Sequence, residues 1–356
     1  MITFSIKEKI QETARAATLI LEPLNGPLEY HAGQFLTFLF DDLGVLSFRR
    51  SYSLSSAPGI DAFPAITVKR TINGRASRYL VEEAGAGDLL HAIEPAGQFV
   101  LKPASGARDI FLIGGGSGIT PLYSLLKWAL AQEPQSNIVL IHADHSSQSI
   151  IFREAIGKLA RQYPTQFRCI YLLSRSDDDV YESIFPPASW LPGRLSNALV
   201  EDLVQRYQKH PPALSQFFLC GPEGLMLKSS QALGFMGYTP EQVHREFFVV
   251  KPPAIPPAKL FPDSQVKIRY KGKLYEVDVP AGQTILESAE NQGIRLPYSC
   301  RSGICTTCSG QCLSGEVEMY TQLGLMNTNT TKGLVMTCTG YPLTKSVEIS
   351  LDKDPA

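Results

Sequence analysis

Up to about residue 104 the apolar positions come in short runs cut by Gly, Pro and charged residues. Residues 34–40, 51–54, 65–70 and 98–101 read as β-strands, spaced as in an antiparallel barrel or sandwich. Between about 105 and 250 the rhythm changes. Apolar strands at 110–113, 138–141, 169–173 and 217–220 alternate with helical segments, which predicts an α/β domain with a parallel sheet. One such helix, 121–130, places Leu122, Leu125, Leu126 and Ala129 on a single face. Residues 251–262 carry five prolines, which fix φ and remove ladder donors, so an extended and semi-rigid linker is expected there. Beyond it, 266–270 and 274–279 flank Lys271-Gly-Lys273 as a hairpin, and a helix runs from about Thr284 until Gly293 stops it. The expected division is 1–104, 105–250, a linker at 251–263, and 264–356.

A chain of 356 residues suits two or three domains at roughly 150 residues each. With 44% hydrophobic residues it can bury real cores. Lys and Arg number 33 against 34 Asp and Glu, a formal charge of -1. That balance argues against nucleic acid or an anionic membrane as a partner. No apolar run approaches the roughly 18 residues of a spanning helix. Lys7, Glu8 and Lys9 break up the N-terminal ten residues, so no signal peptide is expected. A cytoplasmic multidomain protein is the expectation.

Seven cysteines are present, and five of them lie from Cys300 onward. Such clustering suggests a metal site before a disulfide framework. Cys300-x4-Cys305-x2-Cys308, closed by a distant Cys338, is the spacing of a plant-type 2Fe–2S site. Two irons sharing two sulfides need four thiolates. A close trio wraps the cluster on one loop, and a remote fourth completes it. A structural zinc site is the alternative, but zinc knuckles usually pair two Cys-x2-Cys units and only one is here. Cys312 is left over as a small hydrophobe.

On Leu296-Pro-Tyr-Ser-Cys-Arg-Ser-Gly-Ile-Cys-Thr-Thr-Cys308, Gly310, Gly315-Glu-Val317 and Thr337-Cys338, residues 264–356 resemble a plant-type ferredoxin. The resemblance implies a β-grasp fold with the cluster in an exposed loop.

Elsewhere the candidate chemistry points to a flavin and a dinucleotide. In Arg50-Ser-Tyr52-Ser53 an arginine suits a phosphate, a tyrosine ring suits an isoalloxazine, and a serine suits its edge. Gly74-Arg-Ala-Ser77 is a turn able to present N–H groups to a pyrophosphate. Gly114-Gly-Gly-Ser-Gly-Ile-Thr-Pro121 leaves a buried strand and enters a helix, where glycines let the backbone approach a pyrophosphate. Its spacing departs from the Rossmann fingerprint, with Ile119 at the third glycine position, and a structural glycine turn is the alternative reading. Cys220-Gly221-Pro222 ends another strand of the same sheet, where open parallel sheets bind ligands.

Taken in order with Glu246-Phe247, these motifs are similar to the ferredoxin–NADP reductase family over about residues 3–250. That resemblance implies an antiparallel β-barrel for FAD followed by an α/β domain for NAD(P)H. It assigns Arg50, Tyr52, Ser53, Gly74 and Ser77 to the flavin and Gly115, Gly116 and Thr120 to the dinucleotide. Cys220 would lie beside the nicotinamide, with Glu246 near it. Ser174 and Arg175 end the third strand, where a 2′-phosphate would sit. NADPH is therefore the expected donor and NADH the alternative, since Asp177, Asp178 and Asp179 oppose a phosphate.

A reductase followed by a ferredoxin resembles the reductase components of multicomponent oxygenases, those of phenylacetyl-CoA oxygenase/epoxidase in particular. Ser149-Ile-Ile-Phe-Arg153 adds to the likeness. The implied activity is electron transfer from NAD(P)H through FAD and the 2Fe–2S cluster to a terminal oxygenase. Reduction of a hybrid-cluster protein or a ring-hydroxylating dioxygenase, and a non-enzymatic redox sensor, are the alternatives.

Overall fold

A computed structural model describes residues 1–40, 48–104, 106–175, 190–248, 261–298, 301, 303, 307–320 and 333–352. Most of the proline-rich linker, Asp177 to Asp179, Cys300 and Cys305 lie outside the described residues. The chain forms two compact units, and the first of them carries two sheets.

The N-terminal sheet holds β1 (Ile2–Thr13), β2 (Ala16–Pro23), β3 (Phe35–Phe40), β4 (Phe48–Ser53), β5 (Ala65–Lys69) and β6 (Leu89–Ala96) in the order β4-β3-β6-β1-β2-β5. Its strands pair antiparallel, and an isolated antiparallel bridge from Leu54 to Ile66 joins the two edges, curling the sheet into a barrel. Phe4, Leu19, Leu36, Phe38 and Ile66 fill it without exposed surface. A single-turn helix α1 (Arg75–Arg78) follows β5.

Two features depart from the sequence reading. β1 and β2 are the most extensive strand pair of the barrel, yet charged Lys7, Glu8 and Lys9 sit inside β1, because only Phe4 and Ile6 turn inward along it. Residues 98–101 form no strand. Phe99 instead drops into the core beneath the next sheet, its ring edge-on to Phe218 at 5.4 Å.

The second sheet holds β7 (Asp109–Gly115), β8 (Asn137–Asp144), β9 (Phe167–Leu173), β10 (Trp190–Pro192), β11 (Ser215–Cys220) and β12 (Val243–Glu246). Its order is β10-β9-β8-β7-β11-β12, and every pair is parallel. Because successive side chains alternate faces, Ile110 and Leu112 pack on one side while Phe111 and Ile113 pack on the other. Both faces are covered, which is why these strands read as unbroken apolar runs. The helices are α2 (Ile119–Gln132), α3 (Arg153–Gln162), α4 (Asn197–Tyr207) and α5 (Glu223–Phe235). On α2 the predicted stripe of Leu122, Leu125, Leu126 and Ala129 is wholly buried.

The C-terminal unit has β13 (Ser264–Tyr270), β14 (Lys273–Val279), helix α6 (Ile285–Asn291), β15 (Ser309–Ser314), β16 (Val317–Met319), β17 (Leu334–Met336), β18 (Gly340–Pro342) and β19 (Ser346–Ser350). One sheet runs β14-β13-β19-β15-β17, and β16 pairs with β18. The predicted hairpin is present. Lys271 and Gly272 both take positive φ (52° and 70°), the conformation of a type I′ turn that matches strand twist. Thr284 caps α6 by accepting the Glu287 N–H at 3.2 Å, and Gly293 at φ 75° ends it. No described helix is long and apolar enough to cross a membrane.

Candidate redox site

Register brings three of the predicted residues into one row. Cys220 on β11 lies opposite Gly114 on β7 and opposite Glu246 on β12, all at the carboxyl ends of adjacent parallel strands. After Gly115 the chain makes a tight turn through Gly116 (φ 55°) into α2. The turn packs directly on β11, since a Cβ on Gly118 would stand 2.0 Å from the Cys220 carbonyl oxygen. Here glycines serve close backbone approach, and they leave a concave N–H-bearing loop at the start of a 14-residue helix with no side-chain cap. Thr120 is buried, and its hydroxyl donates to the Ser117 carbonyl at 2.9 Å, so it shapes the first turn.

The Cys220 thiol has no exposed surface and belongs to the apolar cluster on the α2 face. Burial, and next the charge of Glu246, push its pKa well above the ordinary thiol range. Its strand ends in the row described above, but the thiol itself is covered and neutral.

At the other end of the row, Ser174 and Arg175 are held by β8. The Ser174 N–H donates to the Asp144 carbonyl at 3.1 Å and the Arg175 N–H to that of His145 at 2.9 Å. Arg175 is exposed. The His145 ring Nδ1 stands 3.2 Å from the Ser174 hydroxyl, which places a third group at this rim. Asp144 beside it is buried. Desolvation works against its charge, but His142, the Ser149 hydroxyl and Lys69 outweigh it and hold the carboxyl below its usual range.

Lys69 is the junction. It ends β5 of the barrel, and its Nζ lies 3.6 Å from where a Gly116 side chain would begin. The barrel therefore meets the glycine loop at this point. No motif marked Lys69, Asp144 or His145. Only the adjacency of strand ends brings them in.

On the barrel, Phe48, Arg50 and Tyr52 follow one another on one face of β4, while Ser51 and Ser53 take the other. Arg50 is exposed, Tyr52 half-buried and Ser53 buried at the strand's end. Desolvation raises the Tyr52 pKa, so its phenol stays neutral. A cavity of about 580 Å³ reaches the start of this strand, lined by Phe40, Phe48, Arg75 and Tyr79 among others. The guanidinium groups of Arg50 and Arg75 both lie over the Phe48 ring, at 5.3 and 5.8 Å. This aromatic and cationic hollow suits a phosphorylated, stacking ligand. Ser77 is turned inward: its hydroxyl donates to the Gly74 carbonyl (3.1 Å) and accepts the Thr71 N–H (3.1 Å). A Cβ on Gly74 would strike the Thr71 hydroxyl at 2.0 Å. Gly74 and Ser77 thus set the shape of this turn.

In the C-terminal unit the two described cluster cysteines converge. The Sγ atoms of Cys308 and Cys338 are buried and 3.2 Å apart, well beyond the ~2.05 Å of a disulfide. The Thr337 N–H donates to the Cys308 carbonyl at 3.1 Å, pinning the remote cysteine to the loop. The Thr307 hydroxyl is buried and has no partner of its own among the described residues. Two converging sulfurs, with an unused donor on the residue next to Cys308, fit an iron–sulfur cluster, whose sulfurs accept such hydrogen bonds.

Residues 112–231 match the oxidoreductase NAD-binding domain, and residues 268–343 match the 2Fe-2S iron-sulfur cluster binding domain. The chain belongs to the reductase components of oxygenase systems. It is an oxidoreductase with an NAD-binding domain and a 2Fe–2S domain. It is 31% identical to the ferredoxin reductase component of 3-ketosteroid-9-alpha-monooxygenase from Mycolicibacterium smegmatis, over 99% of this chain and 98% of that one. It is also 31% identical to a component of the 1,2-phenylacetyl-CoA epoxidase of Escherichia coli, over 96% and 95%. Phthalate dioxygenase reductase shares the fold, with a TM-score of 0.59 over 98% of this chain and 97% of that one, at 23% identity.

Proposed function

We propose that FAD lies along β4, with its isoalloxazine at Tyr52 and Ser53, its pyrophosphate by Arg50, and its adenosine half in the Phe48–Tyr79 hollow. The observation that carries this reading is the meeting of Lys69 with the glycine loop. It sets the flavin-bearing barrel against the row of Gly114, Cys220 and Glu246, where the nicotinamide belongs. FAD supplies what the side chains lack, accepting a hydride and releasing electrons one at a time to a 2Fe–2S centre. The chain's own residues do the placing. Gly115, Gly116 and Gly118 bring the backbone up to the dinucleotide, Cys220 backs the nicotinamide site from beneath as a covered, neutral thiol, and Glu246 offers a carboxylate at the neighbouring strand end. Ser174, Arg175 and His145 receive a 2′-phosphate, which favours NADPH over NADH. Cys300, Cys305, Cys308 and Cys338 ligate the cluster.

The acceptor is a terminal oxygenase of the kind these relatives serve, phenylacetyl-CoA epoxidase being one such partner. We place the protein in the cytoplasm, where thiolate ligands stay reduced. The test is an anaerobic visible titration of purified protein with NADPH and, in parallel, NADH. Flavin and iron–sulfur bands should bleach together, and at lower concentration with NADPH. A preparation without flavin, or bands that neither nucleotide moves, would refute the assignment.

A further inference from the structure

We propose that Ser124 is a positioning residue for hydride transfer, tying the flavin-bearing sheet to the nucleotide-binding helix. The inference rests on the flavin and nicotinamide placement given above. Ser124 sits on α2, eight positions beyond Gly116, and has no exposed surface. Its hydroxyl donates to the Ser56 carbonyl at 2.5 Å and accepts the Gly33 N–H at 3.3 Å. These two partners bracket the flavin strand. Gly33 leads into β3, Ser56 follows β4, and the Leu54 N–H donates to the Gln34 carbonyl at 2.8 Å between them. A movement of Ser124 therefore moves both ends of the β3–β4 segment.

Two further observations show that the tie is built in. Gly33 holds φ 92°, and a Cβ there would stand 1.9 Å from the Phe99 carbonyl oxygen, so glycine alone lets that N–H reach α2. Three residues on, Lys127 pairs with Asp61 of the barrel, and Asp61 also accepts the Ala57 N–H at 2.6 Å. Burial lowers the Lys127 pKa and Asp61 works the other way, so the ammonium end of this second tie is largely out of water while Asp61 stays partly exposed. Helix α2 is thus stapled to the barrel at two points along the face beside its glycine loop.

The chemistry is sensitive to such a staple. In hydride transfer the C4–H bond of the nicotinamide breaks and an N–H bond forms at flavin N5. The electron pair travels with the hydrogen, oxidising the one ring and reducing the other. Reacting atoms must stand about 3–3.5 Å apart, and a shift near 1 Å costs about a hundredfold. Ser124→Ala leaves a buried N–H and a buried carbonyl without a partner, and the segment must move to satisfy them.

The test compares wild-type holoenzyme with Ser124→Ala and Ser124→Thr. It measures single-turnover flavin reduction, nucleotide Kd, flavin and cluster content, and amide hydrogen exchange at Gly33. Expected for Ser124→Ala is a roughly tenfold slower flavin reduction with Kd and cofactor content within about twofold. Gly33 exchange should quicken, and Ser124→Thr should restore both. Faster Gly33 exchange with an unchanged rate would overturn the proposal, as would a rate loss that merely follows weaker nucleotide binding. If Ser124→Ala does not yield holoenzyme, Lys127→Met carries the same comparison, with the same slowing expected and an unchanged rate as the refuting result. Failure of wild-type protein to reduce its flavin with NAD(P)H would instead overturn the placement on which the inference stands.

Discussion

The carbonyl oxygen of Cys220 occupies the space that a Gly118 side chain would need, 2.0 Å from its ideal Cβ. Gly118 has an ordinary φ of -62°, so it is contact and not backbone conformation that demands glycine there. In the placement proposed above, Gly115 and Gly116 present their backbone to the dinucleotide only while the turn rests on β11. Gly118→Ala should lift the loop, destabilise the first unit by about 1–3 kcal/mol, and weaken NAD(P)H binding by roughly tenfold or more. Calorimetry and nucleotide titration check this. Wild-type affinity in a folded variant would show that the loop does not bind the nucleotide in this position.

Cys220 itself should act by packing beneath the strand ends and not by proton transfer. A thiol sealed from solvent beside Glu246 has its pKa raised, so it remains protonated across the range in which the enzyme is handled. Cys220→Ser should slow flavin reduction while leaving the cluster assembled. The wild-type rate should also show no titration between about pH 6 and 8.5, where an ordinary thiol begins to ionise. A rate that rises through this range and loses the rise in Cys220→Ser would assign the thiol an acid–base role.

Convergence of Cys308 and Cys338 predicts separable half-reactions. Cys308→Ser or Cys338→Ser should lose the 2Fe–2S absorbance and electron transfer to one-electron acceptors, while NAD(P)H still bleaches the flavin. Thr307→Val makes a finer point. It should keep the cluster but move its reduction potential to a more negative value, because the variant lacks the buried hydroxyl, unpartnered among the described residues, that would donate to a cluster sulfur. Spectroelectrochemistry reads this directly, and an unmoved potential would mean that the hydroxyl faces elsewhere.

What was legible in the sequence, and what was not, follows from where the information sits. Strands β7, β8, β9 and β11 announced themselves because both faces are buried, which leaves four or more apolar residues in a row. β1 hid because only Phe4 and Ile6 are buried along it, and an irregularity in register between Ile6 and Glu8 leaves Lys7 and Glu8 both exposed. Residues 98–101 misled for the opposite reason: Phe99 and Leu101 are buried, but in a connecting segment that plugs the next core. Arg50, Gly115 and Cys220 were legible as members of motifs. Ser77 and Thr120 also stood in motifs, and their hydroxyls bond within their own turns. Lys69, His145 and Ser124 stayed invisible, since each matters only through a neighbour far away in the chain.

Nucleotide choice should rest on the rim after β9. Arg175 is exposed there, with Ser174 held against His145. Arg175→Ala should reduce kcat/KM for NADPH by roughly 10- to 100-fold, as expected for loss of a charge-assisted phosphate contact, and leave that for NADH within about threefold. His145→Ala should do the same more weakly. Equal losses with both nucleotides would move the 2′-phosphate site away from this rim.

The first unit should lose stability in mild acid through His244. Its ring stacks on Phe218 at 4.5 Å, and its Nε2 lies 2.8 Å from the Gln216 side-chain oxygen. Burial first, and then Arg108, Lys102 and Arg245, push its pKa down to about 4. The unfolded chain has an ordinary histidine near pH 6.5. Between those values the unfolded state binds a proton that the folded state refuses, so stability falls as pH drops from about 6.5 towards 4, by up to about 1.4 kcal/mol per pH unit. Above pH 7 neither state holds the proton and the contribution is flat. His244→Phe keeps the stacking and cannot titrate. Urea midpoints at pH 7.5 and pH 5 should therefore draw closer together in the variant, by an amount on the order of 2 kcal/mol. Equal acid sensitivity in both proteins would show that His244 is protonated in the fold or that other groups dominate.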